Sequence, residues 1–295
     1  MHSLLLHNGR LIATSEKTLS PGQVGFMNGW GVFSTLRVAG GVLFAFDRHW
    51  ARMSGDAELM RVPMPPDRQA FHRELLALVE ANRADEGTLR VAVVRNRGGL
   101  FEGAGIERDF DVIAFTTGLH AWGDSVKLSV EENARHGANR FSGVKITSWA
   151  QNLTWLERAK SDGCDEVVLL NEHGKVSECT SANIFAVMKD GGVWTPPLSS
   201  GCLPGITRSI ILEGLAVDGV TTGERDLSLD DLYGASSVFI TSTTRELLAV
   251  EAIGGRAINR VDSVRQKLQA AFSANLTAYV ETAKAAAMVG PTSGN

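Results

Sequence analysis

The sequence predicts a mixed α/β (α+β) protein of two lobes, and three observations carry that expectation. Short β-branched runs alternate with helical stretches. A chain of 295 residues is long enough for a large core, as one big domain or two lobes. The segment GLHAWGDS at 118–125 has turn composition and no periodicity, which makes it the natural linker. The expected organisation is a small N-terminal lobe at 1–118, a linker at 119–125, a larger C-terminal lobe at 126–286 and a frayed tail at 287–295.

The first lobe reads as strands, helices, then strands. LFAF at 43–46 is a short apolar run, and Asp47 after it is a suitable N-cap for a helix over 48–60. Pro63, Pro65 and Pro66 end that helix, and Asp67 caps a second one reaching residue 82. LRVAVVRN (89–96) and DVIAFTT (111–117) are β-branched runs bounded by glycine and charge, hence strands. The second lobe opens with VKLSVEE and continues with a helix over 148–161. Strands follow at 165–171 and 183–187, separated by the turn EHGK. A helix from Ile206 through ITRSIILEGLAVDG, a strand at 237–241 and a long helix at 262–286 complete it.

Composition narrows the function. With 44% hydrophobic and 21% charged residues the chain is an ordinary globular protein, and a net charge of −4 without a basic run gives no footprint for nucleic acid. No apolar run approaches the roughly 20 residues that span a bilayer, and the first residues lack the pattern of a signal peptide, so a cytoplasmic protein is expected. Three cysteines (Cys164, Cys179, Cys202) without CxxC spacing suggest neither a disulfide framework nor a metal site.

The chemistry concentrates in two stretches and one lysine. VSECTSANIF (176–185) puts Glu178 just ahead of an apolar strand. LPGITRSII (203–211) puts Gly205, Ile206 and Thr207 at a helix start, where free N–H groups and the helix dipole favour an anion. Thr207 adds a hydroxyl, and a second hydroxyl-rich turn, TSTTRE (241–246), follows a strand. Arg52, in DRHWARM, is suited to a charge-assisted bond to phosphate. Lys145 precedes a helix in GVKITSWAQN. A lysine forms a Schiff base only when neutral, a state that burial promotes. Singly, each has an ordinary explanation as a solvated lysine, a turn acid or a helix cap. Together, lysine, carboxylate and phosphate cradle are what a protein supplies to hold pyridoxal phosphate.

The order of FMNGWGVFSTLRV, FAFDRHWARM, GVK, DEVVLLNEHGKVSECTSANIF, LPGITR and FITSTTREL resembles the fold-type IV, or class IV, pyridoxal-phosphate enzymes. That family includes branched-chain aminotransferases, D-amino-acid aminotransferases and aminodeoxychorismate lyase. The resemblance implies a small N-terminal α/β lobe and a larger lobe with a β-barrel-like core. It implies that Lys145 carries the cofactor and shuttles the substrate proton, and that Glu178 faces the pyridine nitrogen. Arg52, Ile206, Thr207, Ser242 and Thr243 would bind the phosphate, and Leu203 would pack on the ring. A homodimer acting on an amino acid and a 2-oxo acid is expected.

The substrate positions depart from the better-known patterns. FSTLR has Ser34 where branched-chain and D-amino-acid enzymes of the family carry glutamate, and Ala150 stands where branched-chain enzymes have tyrosine. VRNRGG (94–99) resembles a lyase stretch and aligns Arg95 with the substrate-carboxylate arginine of D-amino-acid enzymes. Arg95 or Arg97 is therefore the expected carboxylate clamp, with Phe33 beside the substrate. The leading reading is an aminotransferase with ping-pong kinetics. A lyase releasing 4-aminobenzoate and pyruvate is the alternative, and a non-catalytic cofactor-binding protein is a third.

Overall fold

The computed structural model describes residues 1–289 apart from Phe101 and Ala216. The chain divides into two units, neither of them continuous: 1–120 with 145–148 and 274 onward, and 121–144 with 149–273.

The first unit starts with β1 (Leu4–His7), β2 (Arg10–Ala13), the short α1 (Val24–Asn28), β3 (Gly31–Ala39) and β4 (Val42–Leu43). Helices α2 (Phe46–Met60) and α3 (Arg68–Ala81) follow, then β5 (Gly87–Arg95) and β6 (Phe110–Thr117). The six strands form an antiparallel sheet in the order β2-β1-β6-β5-β3-β4. Its faces are set by alternation along each strand. Val32, Leu36 and Val38 of β3 and Leu89, Val91 and Val93 of β5 share a core with Phe46, Met53 and Ala57 of α2 and Phe71, Leu75 and Leu78 of α3. The intervening residues, paired as Phe33↔Ala92 and Thr35↔Arg90, take the opposite face.

Asp67 caps α3 as expected, its carboxylate accepting from Gln69 N (2.8 Å) and Ala70 N (3.0 Å). Asp47 does not cap α2. Ala45, held left-handed at φ 53°, is the N-cap, and its carbonyl accepts from Arg48 N and His49 N. Asp47 therefore falls inside the first turn and pairs with Arg68.

The second unit contains β7 (Ser125–Arg135), α4 (Ala150–Ser161), β8 (Glu166–Asn171), β9 (Val176–Cys179), β10 (Asn183–Val187) and β11 (Val193–Thr195). It continues through α5 (Ile206–Glu213), β12 (Thr222–Glu224), α6 (Leu229–Gly234), β13 (Ser237–Ser242), β14 (Glu246–Ile253) and β15 (Arg256–Ala257). The main path of the sheet is β12-β11-β10-β13-β14-β7-β8-β9, with β15 on β14. The path turns back on itself, because three residues join β9, at its end, to β10 within it, and Cys179 N donates to Ala182 O (2.7 Å). This is the curled, barrel-like sheet that the sequence suggests. Val126, Leu128, Val168, Leu170, Ile184, Val238, Ile240 and Val250 fill it. All six residues of β8 are buried, as its parallel pairing with β7 favours.

Several strands differ from the sequence reading. Glu178, expected just ahead of the strand at 183–187, lies within a strand of its own, β9; β11, β12 and β15 are short strands not recognised there, and β14 was missed because Glu246 and Glu251 bracket its apolar residues. Helix α5 stops at Glu213, where Gly214 follows, well short of the expected end. Helix α7 (Ser263–Val289) extends past the expected stop at 286, and the remainder of the expected tail, 290–295, lies outside the described residues. No described helix is long and apolar enough to cross a membrane.

Candidate active site

In the first unit the site is built around Lys145. Although it follows β7 in sequence, its segment adds to the free edge of β3. Phe33 N donates to Lys145 O (3.0 Å), Val32 bridges Ile146, and Thr147 N donates to Gly31 O (2.9 Å). Thr147 and Ser148 hydroxyls both donate to Gly29 O, at 2.7 and 2.9 Å. Gly29 caps α1 with φ 60°, and a Cβ there would lie 2.4 Å from Ser148 Oγ, so this approach requires glycine. The half-buried Lys145 amine stands 4.6 Å from the centre of the Phe33 ring.

Ser34 points the other way, into the helix layer. Its hydroxyl accepts from Arg52 Nη2 (2.9 Å) and lies 2.8 Å from His49 Nδ1. Burial, then the Arg52 and Lys145 charges, hold His49 well below its ordinary value, so it is neutral. Desolvation likewise pushes Arg52 down to about 10, and it remains a cation at neutral pH. One turn further along α2, Asp56 accepts from Lys145 N (3.2 Å).

The expected substrate arginines are occupied otherwise. Arg95 donates to the carbonyls of Arg97 (2.6 Å) and Arg61 (2.7 Å) and stacks 4.3 Å over Trp30. Arg97 pairs with Glu102 (3.3 Å) and Asp109 (3.7 Å). A third arginine, overlooked in the sequence, differs from both. Arg90 lies 3.9 Å over the Phe33 ring, and no hydrogen bond or ion pair to it is found among the described residues. Its register neighbours are Thr35 and Phe115, neither of them acidic, and burial lowers its pKa. The signal was a cation inside the alternating run LRVAV with no acid opposite.

In the second unit Glu178 is buried and oriented at both oxygens. Oε1 accepts from Arg135 Nε (2.9 Å) and Oε2 from Leu203 N (3.0 Å). Arg135, at the end of β7, also donates to Asn152 (3.2 Å) and was missed, because the pairing of β7, β8 and β9 makes it a neighbour of Glu178. Asn183 Nδ2 fixes the next turn through Leu203 O (2.9 Å), and Gly205 is needed there, since a Cβ would lie 2.0 Å from Asn183 Oδ1. Helix α5 begins at Ile206, so the amides of Ile206 and Thr207 have no intrahelical acceptor. The helix packs on β13, which ends in Ser242, with Thr243 next. Thr241 Oγ1, buried beside them, has no partner among the described residues. Ala150, the first residue of α4, is exposed.

The turn between β9 and β10 has a brace of its own. Glu166, fully buried, accepts from Thr180 N (3.2 Å), from the Thr180 hydroxyl, from Ser181 Oγ (2.5 Å) and from Arg245 Nη2 (3.2 Å). Arg245 also donates to Ser181 Oγ (2.9 Å) and stacks 3.8 Å over Trp122.

Known proteins resemble this chain in sequence and fold. The sequence profile of class IV aminotransferases matches residues 31–253. A D-alanine aminotransferase of Bacillus licheniformis is 27% identical over 86% of this chain and 89% of its own. A branched-chain-amino-acid aminotransferase of Pseudomonas aeruginosa is 29% identical over 83% of each. The pyridoxal-phosphate-bound structure of a hypothetical aminotransferase from Mycobacterium tuberculosis superposes with a TM-score of 0.83 at 21% identity, covering 93% of this chain and 99% of that one. The chain belongs to the class IV aminotransferases, enzymes dependent on pyridoxal phosphate.

Proposed function

We propose that this enzyme moves an amino group from a small aliphatic amino acid to a 2-oxo acid, with Lys145 as its catalytic residue and Arg90 as the clamp for the substrate carboxylate. The observation that carries the reading is the Phe33 ring, with the Lys145 amine 4.6 Å from its centre and the Arg90 guanidinium 3.9 Å from it. A carboxylate-bearing amine needs a cation without a competing acid and a base within reach of its α-carbon. Arg95 and Arg97 are spent on backbone carbonyls and acids, which argues against their expected role.

The residues fit pyridoxal phosphate. The first-turn amides of α5, the orphaned Thr241 hydroxyl and the Ser242 and Thr243 turn are donors suited to phosphate, and Arg52 is a cation suited to it. Glu178, kept in place by Arg135, suits a pyridinium nitrogen, and Leu203 the ring. When bound, the cofactor supplies an electron sink for the substrate α-carbon. Lys145 Nζ takes the α-proton and returns it. Arg90 orients the substrate, and Phe33 keeps water from the amine.

The relatives named for D-alanine and for branched-chain amino acids support a small or branched aliphatic donor of either hand. Adding L- and D-amino acids singly to the holoenzyme and following the visible band settles which: bleaching by one series identifies the donor. Pyruvate formed from aminodeoxychorismate while no amino acid bleaches the band would overturn the transamination reading. Lys145→Ala is expected to abolish turnover. Arg90→Ala should lower kcat/KM by about 10- to 100-fold, mainly through KM, whereas Arg97→Ala should not. We also read the enzyme as a cytoplasmic homodimer, for which sedimentation at twice the 31.7 kDa chain mass is the test.

A further inference from the structure

Helix α2 places Arg52 and Asp56 four residues apart, on one helical face. Asp56 is 8% exposed, and its Oδ2 accepts from the Lys145 amide at 3.2 Å. The charges acting on it are Arg52 and Lys145, while burial opposes ionisation and raises its pKa. His49, another titratable group on this helix, is acted on by the same two cations and is neutral. The cofactor reading makes no demand for an acid here, since Glu178 supplies the carboxylate for the ring. A neutral oxygen, from asparagine or serine, would accept the Lys145 N–H bond at a smaller desolvation cost. What only an acid provides is a negative charge that acts on both Arg52 and Lys145.

We infer that Asp56 is a positioning residue that ties the Lys145 main chain to the helix bearing Arg52 and supplies a counter-charge to both side chains. This rests on Lys145 being the cofactor lysine. The tether fixes where the lysine segment sits against β3, and the charge favours a protonated nitrogen on that lysine.

The two functions separate by substitution in the holoenzyme. Asp56→Asn keeps an oxygen for Lys145 N and removes the charge; Asp56→Leu removes both. The readouts are the pH midpoint of the visible band of lysine-bound pyridoxal phosphate and the dissociation constant of the cofactor, from titration of the apoprotein. Asp56→Asn should lower the midpoint by about one pH unit, as loss of a nearby opposite charge does. Asp56→Leu should show the same shift and bind pyridoxal phosphate about tenfold more weakly. A wild-type midpoint in Asp56→Asn overturns the charge role, and wild-type cofactor affinity in Asp56→Leu overturns the tether. Should Asp56→Asn not fold, Asp56→Ser, also an uncharged oxygen, is read in the same way. Absence of a lysine-dependent band in the wild type, or its survival in Lys145→Ala, instead rejects the underlying reading of Lys145.

Discussion

At the scale of single residues, Ser34 shows how one hydroxyl organises two larger groups. It satisfies Arg52 Nη2 and His49 Nδ1 together in a site where neither meets water freely. Ser34→Ala takes a hydrogen bond from each and leaves His49 Nδ1 without a partner among the described residues, and a buried unsatisfied group costs about 1–3 kcal/mol. Denaturant unfolding of the apoprotein should show a loss in that range. The neutral His49 has a pH consequence of definite sign. Its folded pKa lies below the ordinary 6.5, so below pH 6.5 the unfolded chain takes up a proton that the folded chain refuses. Stability should fall as pH drops from 6.5, by up to about 1.4 kcal/mol per pH unit from this group. In His49→Gln that slope should be shallower, and an unchanged slope would show that His49 is protonated in the fold. Lys145, Glu178 and Thr207 could be singled out from spacing and residue type. Arg90, Asp56 and Arg135 were not, because their meaning depends on what strand register and helix packing set beside them.

Among the elements, the Glu166–Arg245 pair ties β8 to the turn after β9 and to the turn after β13. Glu166 is 1% and Arg245 6% exposed at the side chain, so removing either partner leaves a charge in the interior. Glu166→Leu should cost about 3–5 kcal/mol, and Glu166→Leu with Arg245→Leu should recover much of it. Thermal and urea unfolding of both variants give the comparison; additive losses would mean that the pair is not coupled. Glu172 pins another connection, the chain after β7, by accepting from Gly137 N (2.8 Å) and Ala138 N (3.4 Å), which pulls its carboxyl down to about 2. Its contribution is present above the ordinary 4.5 and is lost as pH falls toward 2, so the protection of the Gly137 amide, measured against its intrinsic exchange rate, should drop in that window. The start of α3 was readable from its side-chain cap, Asp67, whereas α6 went unrecognised although Ser228 caps it. Where a left-handed Ala45 opens α2, residue type carried no such mark.

For the whole molecule, the decisive arrangement is the return of 145–148 to the first unit after β7 has opened the second. Hydrophobic pattern predicts lobes as continuous stretches, since it reports which faces are apolar and not which edge a distant segment will join. Gly29 is where that return is most constrained. Gly29→Ala adds the cost of a left-handed residue, about 1–2 kcal/mol, and a clash with Ser148. Its predicted signature is weaker retention of pyridoxal phosphate on dialysis, with the secondary structure preserved by circular dichroism.

The edge of β3 also sets a schedule for biosynthesis. Gly31 O waits for the amide of Thr147, a partner 116 positions later, and Phe33 N waits for Lys145 O. A chain emerging from the ribosome carries an open strand edge until that segment arrives, and open edges invite wrong partners. On the proposed role of Lys145, the residue that completes the sheet is also the one that takes the cofactor, so pyridoxal phosphate would stabilise only chains whose first sheet has been closed.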